Sequence, residues 1–115
     1  MDNTKSAFLI RVATYLATNT KPVIYVAGKI TGLPYDEVKI KFKTAQNMLE
    51  KQGFKVLNPC EFMPIDENWY TAMRKASALL VMADHIYLLP DWRDSEGASF
   101  EFGMAVKFNI SCINE

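Results

Sequence analysis

The chain has 115 residues, which is enough for one domain with a single hydrophobic core. Its 13 Lys and Arg residues balance 13 Asp and Glu residues, and this neutrality argues against charge-driven binding to a nucleic-acid polymer or a membrane surface. Cys60 and Cys112 lie far apart and lack the spacing of metal ligands, so we expect reduced thiols, no metal site and a cytoplasmic protein.

Residues 1–20 are predicted to form an N-terminal helix. Apolar residues recur at helical spacing from Phe8 to Leu16, and either Asn3 or Thr4 is a suitable N-terminal cap. Arg11 interrupts the apolar run and the segment has no cleavage pattern, so we expect neither a signal peptide nor a membrane span.

The rest of the chain alternates predicted strands and helices. Short apolar segments predict four strands, "PVIYVAG", "FKVLNP", "HIYLLP" and "ISCIN", and helical periodicity predicts helices over 36–52, 73–83 and 95–108. This alternation favours right-handed crossovers, so we predict a Rossmann-like (flavodoxin-like) three-layer α/β/α fold with a four-stranded parallel sheet and the extra N-terminal helix. Ligands bind such sheets beyond the carboxyl ends of the strands, which directs attention to the loops that follow Val26, Leu57 and Leu89.

The last helix is predicted to be apolar on two sides. One stripe is expected to pack on the sheet and consists of Ala98, Phe102, Ala105 and Val106. The opposite stripe consists of Phe100, Met104 and Phe108. A helix that is apolar on both sides in so small a domain is typically covered by another subunit, so we expect a homo-oligomer, a dimer or larger.

Glu101 is predicted to project between these two stripes. An unpaired carboxylate in an apolar setting is costly, so such a residue usually has a partner or a chemical role. One interpretation is an ion pair with Lys or Arg across a subunit interface; the other is a functional carboxylate. The residues Gly97, Ala98 and Ala105 around it are small and leave space over the side chain.

Ser95 begins the same helix and has two interpretations. It can cap the free backbone N–H groups of the first turn, which is the usual role of serine at this position. Alternatively, Ser95, Gly97 and those N–H groups form an anion site, because helix N-termini favour phosphate.

The loop after the first strand, "YVAGKITG", carries Gly28 and Gly32 and resembles a phosphate or sugar loop. It lacks the glycine spacings of dinucleotide-binding and triphosphate-binding loops. Tyr25 lies in the strand itself, where packing is its ordinary role. Trp92, between the third strand and the last helix, is our candidate for stacking on a base, in preference to Trp69.

Three of these segments resemble the nucleoside 2-deoxyribosyltransferase superfamily. "IYVAGKITGLP", "ADHIYLLPDW" and "SEGASFEFGMA" occur here in the superfamily's order and spacing. The resemblance covers about residues 22–113 and is strongest to the short bacterial and phage branch and to the 2-deoxynucleoside 5′-monophosphate N-glycosidases. It divides the chain into an N-terminal helix, 1–20, and a deoxyribosyltransferase-like domain, 21–115.

The resemblance implies a role for each candidate residue. Glu101 would be the nucleophile that attacks the anomeric carbon, with Tyr25 beside it, and a serine at the position of Ser95 distinguishes the monophosphate glycosidases. Gly97 would join Ser95 at the phosphate, and Trp92 would contact the base. The loop around the sugar would consist of Gly28, Lys29, Ile30, Thr31 and Gly32. The partner would be a small nucleotide or nucleoside, no cofactor would be needed, and the bond would be cleaved with retention, by hydrolysis or transfer.

Two departures from the superfamily leave a second function open. Family enzymes commonly carry an aspartate where this chain has Ala76, and Asp91 or Asp94 would have to replace it. Characterised members also continue beyond the fourth strand and lend residues to a neighbouring subunit's site. The alternative function is therefore a non-catalytic module that senses or sequesters a nucleotide, and a third is a structural oligomer.

Overall fold

Strands and helices alternate along the chain as the sequence predicts. The computed structural model describes residues 4–64 and 66–114. The elements are α1 (Thr4–Leu16), β1 (Val23–Ala27), α2 (Tyr35–Lys51), β2 (Lys55–Leu57), α3 (Trp69–Val81), β3 (His85–Leu88), α4 (Glu96–Lys107) and β4 (Ser111–Cys112). Of the two predicted caps of α1, Asn3 lies outside the described residues and Thr4 is the first residue of the helix.

The four strands form one parallel sheet in the order β2-β1-β3-β4. In β1, Tyr25 pairs with Leu57 of β2 on one side and with Ile86 of β3 on the other. The chain moves outward from β1 to β2 and then crosses to β3, so the strand order reverses beside β1. That reversal opens a crevice at the carboxyl ends of β1 and β3, where ligands of Rossmann-like folds bind.

Helices cover both faces of the sheet, which confirms the predicted three-layer α/β/α fold. Ile24 and Val26 of β1 pack against α2 on one face. Tyr25 and Ala27 point to the other face, where α1, α3 and α4 contribute to the larger core cluster. All five residues of β1 are buried, as expected for a central strand covered on both sides.

The N-terminal helix α1 belongs to this larger core. Phe8 and Val12 are buried among residues of β1, α3 and α4. The Tyr15 hydroxyl donates a hydrogen bond to the carbonyl oxygen of Val56 at 2.7 Å, and the Arg11 guanidinium donates to the carbonyl of Glu61. The helix is therefore fixed to the sheet by packing and by hydrogen bonds.

Helix α4 turns a narrower face to the sheet than its sequence predicts. Ala98, Glu101 and Ala105 are its buried residues. The expectation that Val106 packs on the sheet is wrong, since its side chain is 64% exposed. The buried arc is centred near Ala105, and at about 100° per residue the next position already points to solvent.

In the described part of the chain, no helix combines the length and the apolar character that crossing a membrane requires.

Candidate functional site

A cavity of about 290 Å³ lies at the carboxyl end of β1, in the predicted crevice. It is enclosed by β1, the loop after it, the segment after β2, α3 and the start of α4. Residues that line it include Tyr25, Gly28, Lys29, Ile30, Thr31, Met63, Trp69, Met73, Ala76, Asp94, Ser95, Glu96, Gly97 and Glu101. The fold thus gathers most of the predicted site residues around one space.

Glu101 and Tyr25 form the buried pair of this cavity. The alternation of β1 directs Tyr25 toward α4, and its hydroxyl donates a hydrogen bond to Oε2 of Glu101 at 2.9 Å. Both side chains are nearly inaccessible, at 1% exposure for Tyr25 and 5% for Glu101. Among the described residues no Lys or Arg forms an ion pair with this carboxylate. In the described part of the protomer, Glu101 therefore forms no salt bridge.

The electrostatics of the pair follow from its burial. Desolvation raises the pKa of Glu101 to about 7, and the hydrogen bond from Tyr25 opposes that rise. Burial and the neighbouring Glu101 charge raise the pKa of Tyr25 well above its usual value. Tyr25 therefore remains a hydrogen-bond donor near neutral pH, while Glu101 can exchange its proton there. A carboxylate of this kind can act as a nucleophile or as a proton acceptor.

Ser95 caps α4, as its position predicts. Its Oγ accepts a hydrogen bond from the backbone N–H of Ala98 at 3.0 Å, so the hydroxyl proton is not used by the cap. Ser95 and Gly97 line the same cavity as Glu101. A side chain at Gly97 would bring its Cβ to 3.1 Å from the sulfur of Met73, so the absence of a side chain keeps α3 and α4 close.

Four residues of the loop after β1 also reach the cavity: Gly28, Lys29, Ile30 and Thr31. Gly32 lies outside it and lines a neighbouring cavity. Its φ of 85° lies in the left-handed region, which by itself explains the glycine. Packing explains the glycine at position 28, because a Cβ there would lie 2.5 Å from Cδ1 of Leu89.

We expect Gly28→Ala to destabilise the protein by about 1–3 kcal/mol, because the added methyl group overpacks the contact with Leu89. Urea unfolding measures the change. The matched control is Gly103→Ala, since no atom lies within 4 Å of a Cβ built at this helical position. The control is expected to be neutral or stabilising. Equal stability of the Gly28→Ala and Gly103→Ala variants would contradict the packing explanation.

Asp91 binds this loop to the segment that follows β3. Its Oδ1 accepts a hydrogen bond from the backbone N–H of Lys29 at 3.0 Å, and its Oδ2 forms an ion pair with Lys41. The Lys41 ammonium also donates to the carbonyl of Lys29 at 2.8 Å. Burial tends to raise the pKa of Asp91, but the hydrogen bonds from Lys41 and Lys29 outweigh it and lower the pKa. Asp91 is thus an ionised acceptor that fixes the loop and is not available as an acid.

Of the two acidic candidates for the role of the missing aspartate, Asp94 lines the cavity and Asp91 does not. Ala76 lies in the cavity wall, so the wall is apolar there. Asp94 and Glu96 line the same cavity and are exposed to solvent. They are the carboxylates of the described chain that share this space with Glu101.

The tryptophan that lines the cavity is Trp69, not Trp92. The Trp92 ring packs on Phe102 with ring centroids 5.0 Å apart, and it is not among the residues that line the cavity. Trp69 begins α3, where Asn68 caps the helix, and its ring is 39% exposed. The sequence offered a signal for Trp69, because the connection from β2, which was expected to reach this end of the sheet, leads directly to this first residue of α3.

The fold and the site define a Rossmann-like α/β domain with a buried carboxylate at its topological switch point. The chain belongs to the family described as Domain of unknown function (DUF4406), which matches residues 22–114. Helix α1 precedes the matched region. Comparison with curated proteins and with solved structures finds no significant match. The described residues contain no cluster of His, Cys, Asp and Glu arranged to hold a metal ion.

Proposed function

We propose that this protein cleaves the N-glycosidic bond of a deoxynucleoside or nucleoside 5′-monophosphate, as a relative of the nucleoside 2-deoxyribosyltransferase superfamily. The observation that carries the proposal is the position of Glu101. A buried carboxylate without a cationic partner in the described residues shares one cavity with Ser95 and with the loop 28–31.

The reaction would begin with attack of the Glu101 carboxylate on the anomeric carbon. The bond from that carbon to the base nitrogen breaks, the base leaves with the electron pair and takes up a proton, and a glycosyl ester forms. The ester is uncharged, so its formation removes the cost of a buried negative charge. Water then resolves the ester in a hydrolase, and a second base resolves it in a transferase.

The phosphate would bind at the start of α4. The first-turn N–H groups of a helix lack intrahelical acceptors and favour an anion. The Ser95 hydroxyl proton is not consumed by the cap and can be donated to a phosphate oxygen. Asp94, which lines the cavity and is exposed, is our remaining candidate for assisting the departure of the base. It would replace the aspartate that is absent at Ala76.

The phosphate assignment predicts that Ser95→Asp weakens monophosphate binding far more than Ser95→Asn, whose side chain has the same size but no charge. Both Asp and Asn are good helix caps, so Ser95→Asp and Ser95→Asn should preserve α4. The charge of Ser95→Asp should raise KM for monophosphates by about tenfold or more, whereas KM for nucleosides should change little. Incubation with a panel of nucleosides and monophosphates, followed by chromatography of the free base, measures both. Equal losses in the two variants would remove Ser95 from the phosphate site.

A second candidate function is nucleotide binding without turnover. The apolar wall at Ala76 favours it, because the superfamily's enzymes commonly have an aspartate at this position. It predicts that a monophosphate raises the melting temperature, that Ser95→Asp abolishes the increase and that no base is released. Base release in the chromatographic assay would decide for the enzyme.

Of the predicted second stripe of α4, Met104 packs against the core, and Phe100 and Phe108 are exposed. We further propose that a second copy of the chain covers these two phenylalanines. Phe100 and Phe108 are 58% and 61% exposed. Exposing two large apolar side chains to water is unfavourable, and neighbouring apolar residues on a surface commonly mark an interaction site. Sedimentation should therefore show a dimer or larger oligomer that dissociates in the double variant Phe100→Ser/Phe108→Ser. The control is Ile40→Ser, an equally exposed residue of α2. A monomeric wild-type protein at micromolar concentration would contradict the proposal.

A further inference from the structure

A second cavity, of about 430 Å³, adjoins the one that contains Glu101. The residues that line both cavities are Ile30, Thr31, Pro59, Met63, Trp69 and Ala72. The two cavities are therefore neighbours that share six lining residues, and a ligand bound at Glu101 would extend past these residues into the second cavity. Tyr35 and Trp69 give this outer cavity an aromatic wall.

Glu67 is the charged residue that lines the outer cavity in the described chain. Its Oε1 forms an ion pair with Lys75, and the two side chains are 14% and 8% exposed. Lys75 does not line the cavity, so the carboxylate is the member of this ion pair that borders it. A carboxylate accepts several hydrogen bonds, so the pairing of Oε1 with Lys75 leaves acceptor capacity on Oε2.

Helix α1 helps to hold this ion pair in place. The Lys75 ammonium lies 5.6 Å from the centroid of the Phe8 ring, within the range of a cation–π contact. Phe8 precedes the region matched by the family, residues 22–114. The pairing of Glu67 with a buried cation is therefore supported by a part of the chain outside the family match.

We propose that the outer cavity binds the base of the nucleotide and that Glu67 selects bases with an amino group on their outer edge. This inference rests on the function proposed above. An ionised carboxylate accepts hydrogen bonds and donates none. The amino groups of adenine, guanine and cytosine donate to it, whereas the carbonyl oxygens of thymine or uracil face it with lone pairs. Trp69 would supply the stacking surface for the base.

Calorimetric titration of the full chain tests the selectivity without turnover. The Glu101→Gln protein is titrated with the 2′-deoxy 5′-monophosphates of adenine, guanine, cytosine and thymine. We expect the thymine nucleotide to bind about tenfold or more weakly than the tightest amino-bearing one, as a site built around one hydrogen bond rejects a ligand that lacks it. Adding Glu67→Gln should reduce that ratio to about threefold or less, because an amide also donates.

The controls separate folding from recognition. Glu67→Gln leaves Lys75 buried without its partner, so the double change Glu67→Gln/Lys75→Met provides a second variant without that buried charge. Glu61→Gln alters a carboxylate outside both cavities that pairs with Lys43 at 3.6 Å, and it should leave the ratio unchanged. This inference alone is overturned if both Glu67 variants still bind the thymine nucleotide about tenfold or more weakly than the tightest amino-bearing one. It is also overturned if the Glu101→Gln protein binds all four nucleotides equally. Failure of every nucleotide to bind overturns the proposed function as well.

Discussion

Glu101→Gln is expected to reduce base release from a deoxynucleoside 5′-monophosphate by about a thousandfold or more, because loss of a nucleophile removes the covalent route. The neutral amide keeps the size of the side chain and can still accept the hydrogen bond from Tyr25 that holds the native residue at 2.9 Å. The variant should therefore fold and bind the monophosphate while losing turnover. Chromatography of the free base under single-turnover conditions measures the loss.

The matched control is Glu37→Gln, an acidic residue in the first turn of α2 that does not line the cavity. In the wild-type protein, kcat/KM should increase with pH up to about 7, since the ionised form of Glu101 is the nucleophile and burial raises its pKa to about 7. Base release that Glu101→Gln leaves unaffected would disprove the assignment of the nucleophile.

The same substitution is expected to stabilise the protein at alkaline pH, by about 3 kcal/mol at pH 8.5. The pKa of Glu101 is about 7 in the folded protein, whereas the ordinary value of 4.5 applies in the unfolded chain. Between these values the folded state binds the additional proton, so the wild-type free energy of unfolding falls as pH rises through this window. The amide does not ionise, and the difference between the proteins should vanish near pH 4.

Urea unfolding of both proteins at pH 4, 7 and 8.5, with Glu37→Gln as the control, measures this difference. The result also decides between two explanations of the buried carboxylate. If Glu101 paired with a cation across a subunit interface, its replacement would leave that cation unpaired and would lower stability or assembly. Lower stability of Glu101→Gln at pH 8.5 would therefore support the structural oligomer and contradict a functional carboxylate.

The predicted fold and much of the predicted site depend on local patterns. The continuous apolar segment 23–27 predicts a strand that is buried on both faces. Such burial requires helices on both sides of the sheet, and the structure has that arrangement. Ser95 was recognisable as a cap because the residues that follow it have helical periodicity. In a parallel α/β sheet the strand ends share one edge, so the loop 28–31 and the start of α4 were expected to meet.

Other features of the site depend on contacts between distant parts of the chain. Gly28 packs against Leu89, and Asp91 accepts a hydrogen bond from Lys29, 62 residues away in sequence. No local sequence pattern therefore shows that Gly28 is needed for packing or that Asp91 holds the loop. Trp69 was passed over for Trp92 because the choice depends on which ring faces the cavity.

The sequence by itself determined the α/β class, the order of the elements and the end of the sheet at which the site lies. These follow from the periodicity of apolar residues and from the handedness of crossovers, which act over a few residues at a time. Only the tertiary structure decided that Glu101 is buried without a cationic partner in the described chain, and that Trp69 lines the cavity. Burial and pKa depend on everything that surrounds a side chain, and that environment exists only after distant segments have packed.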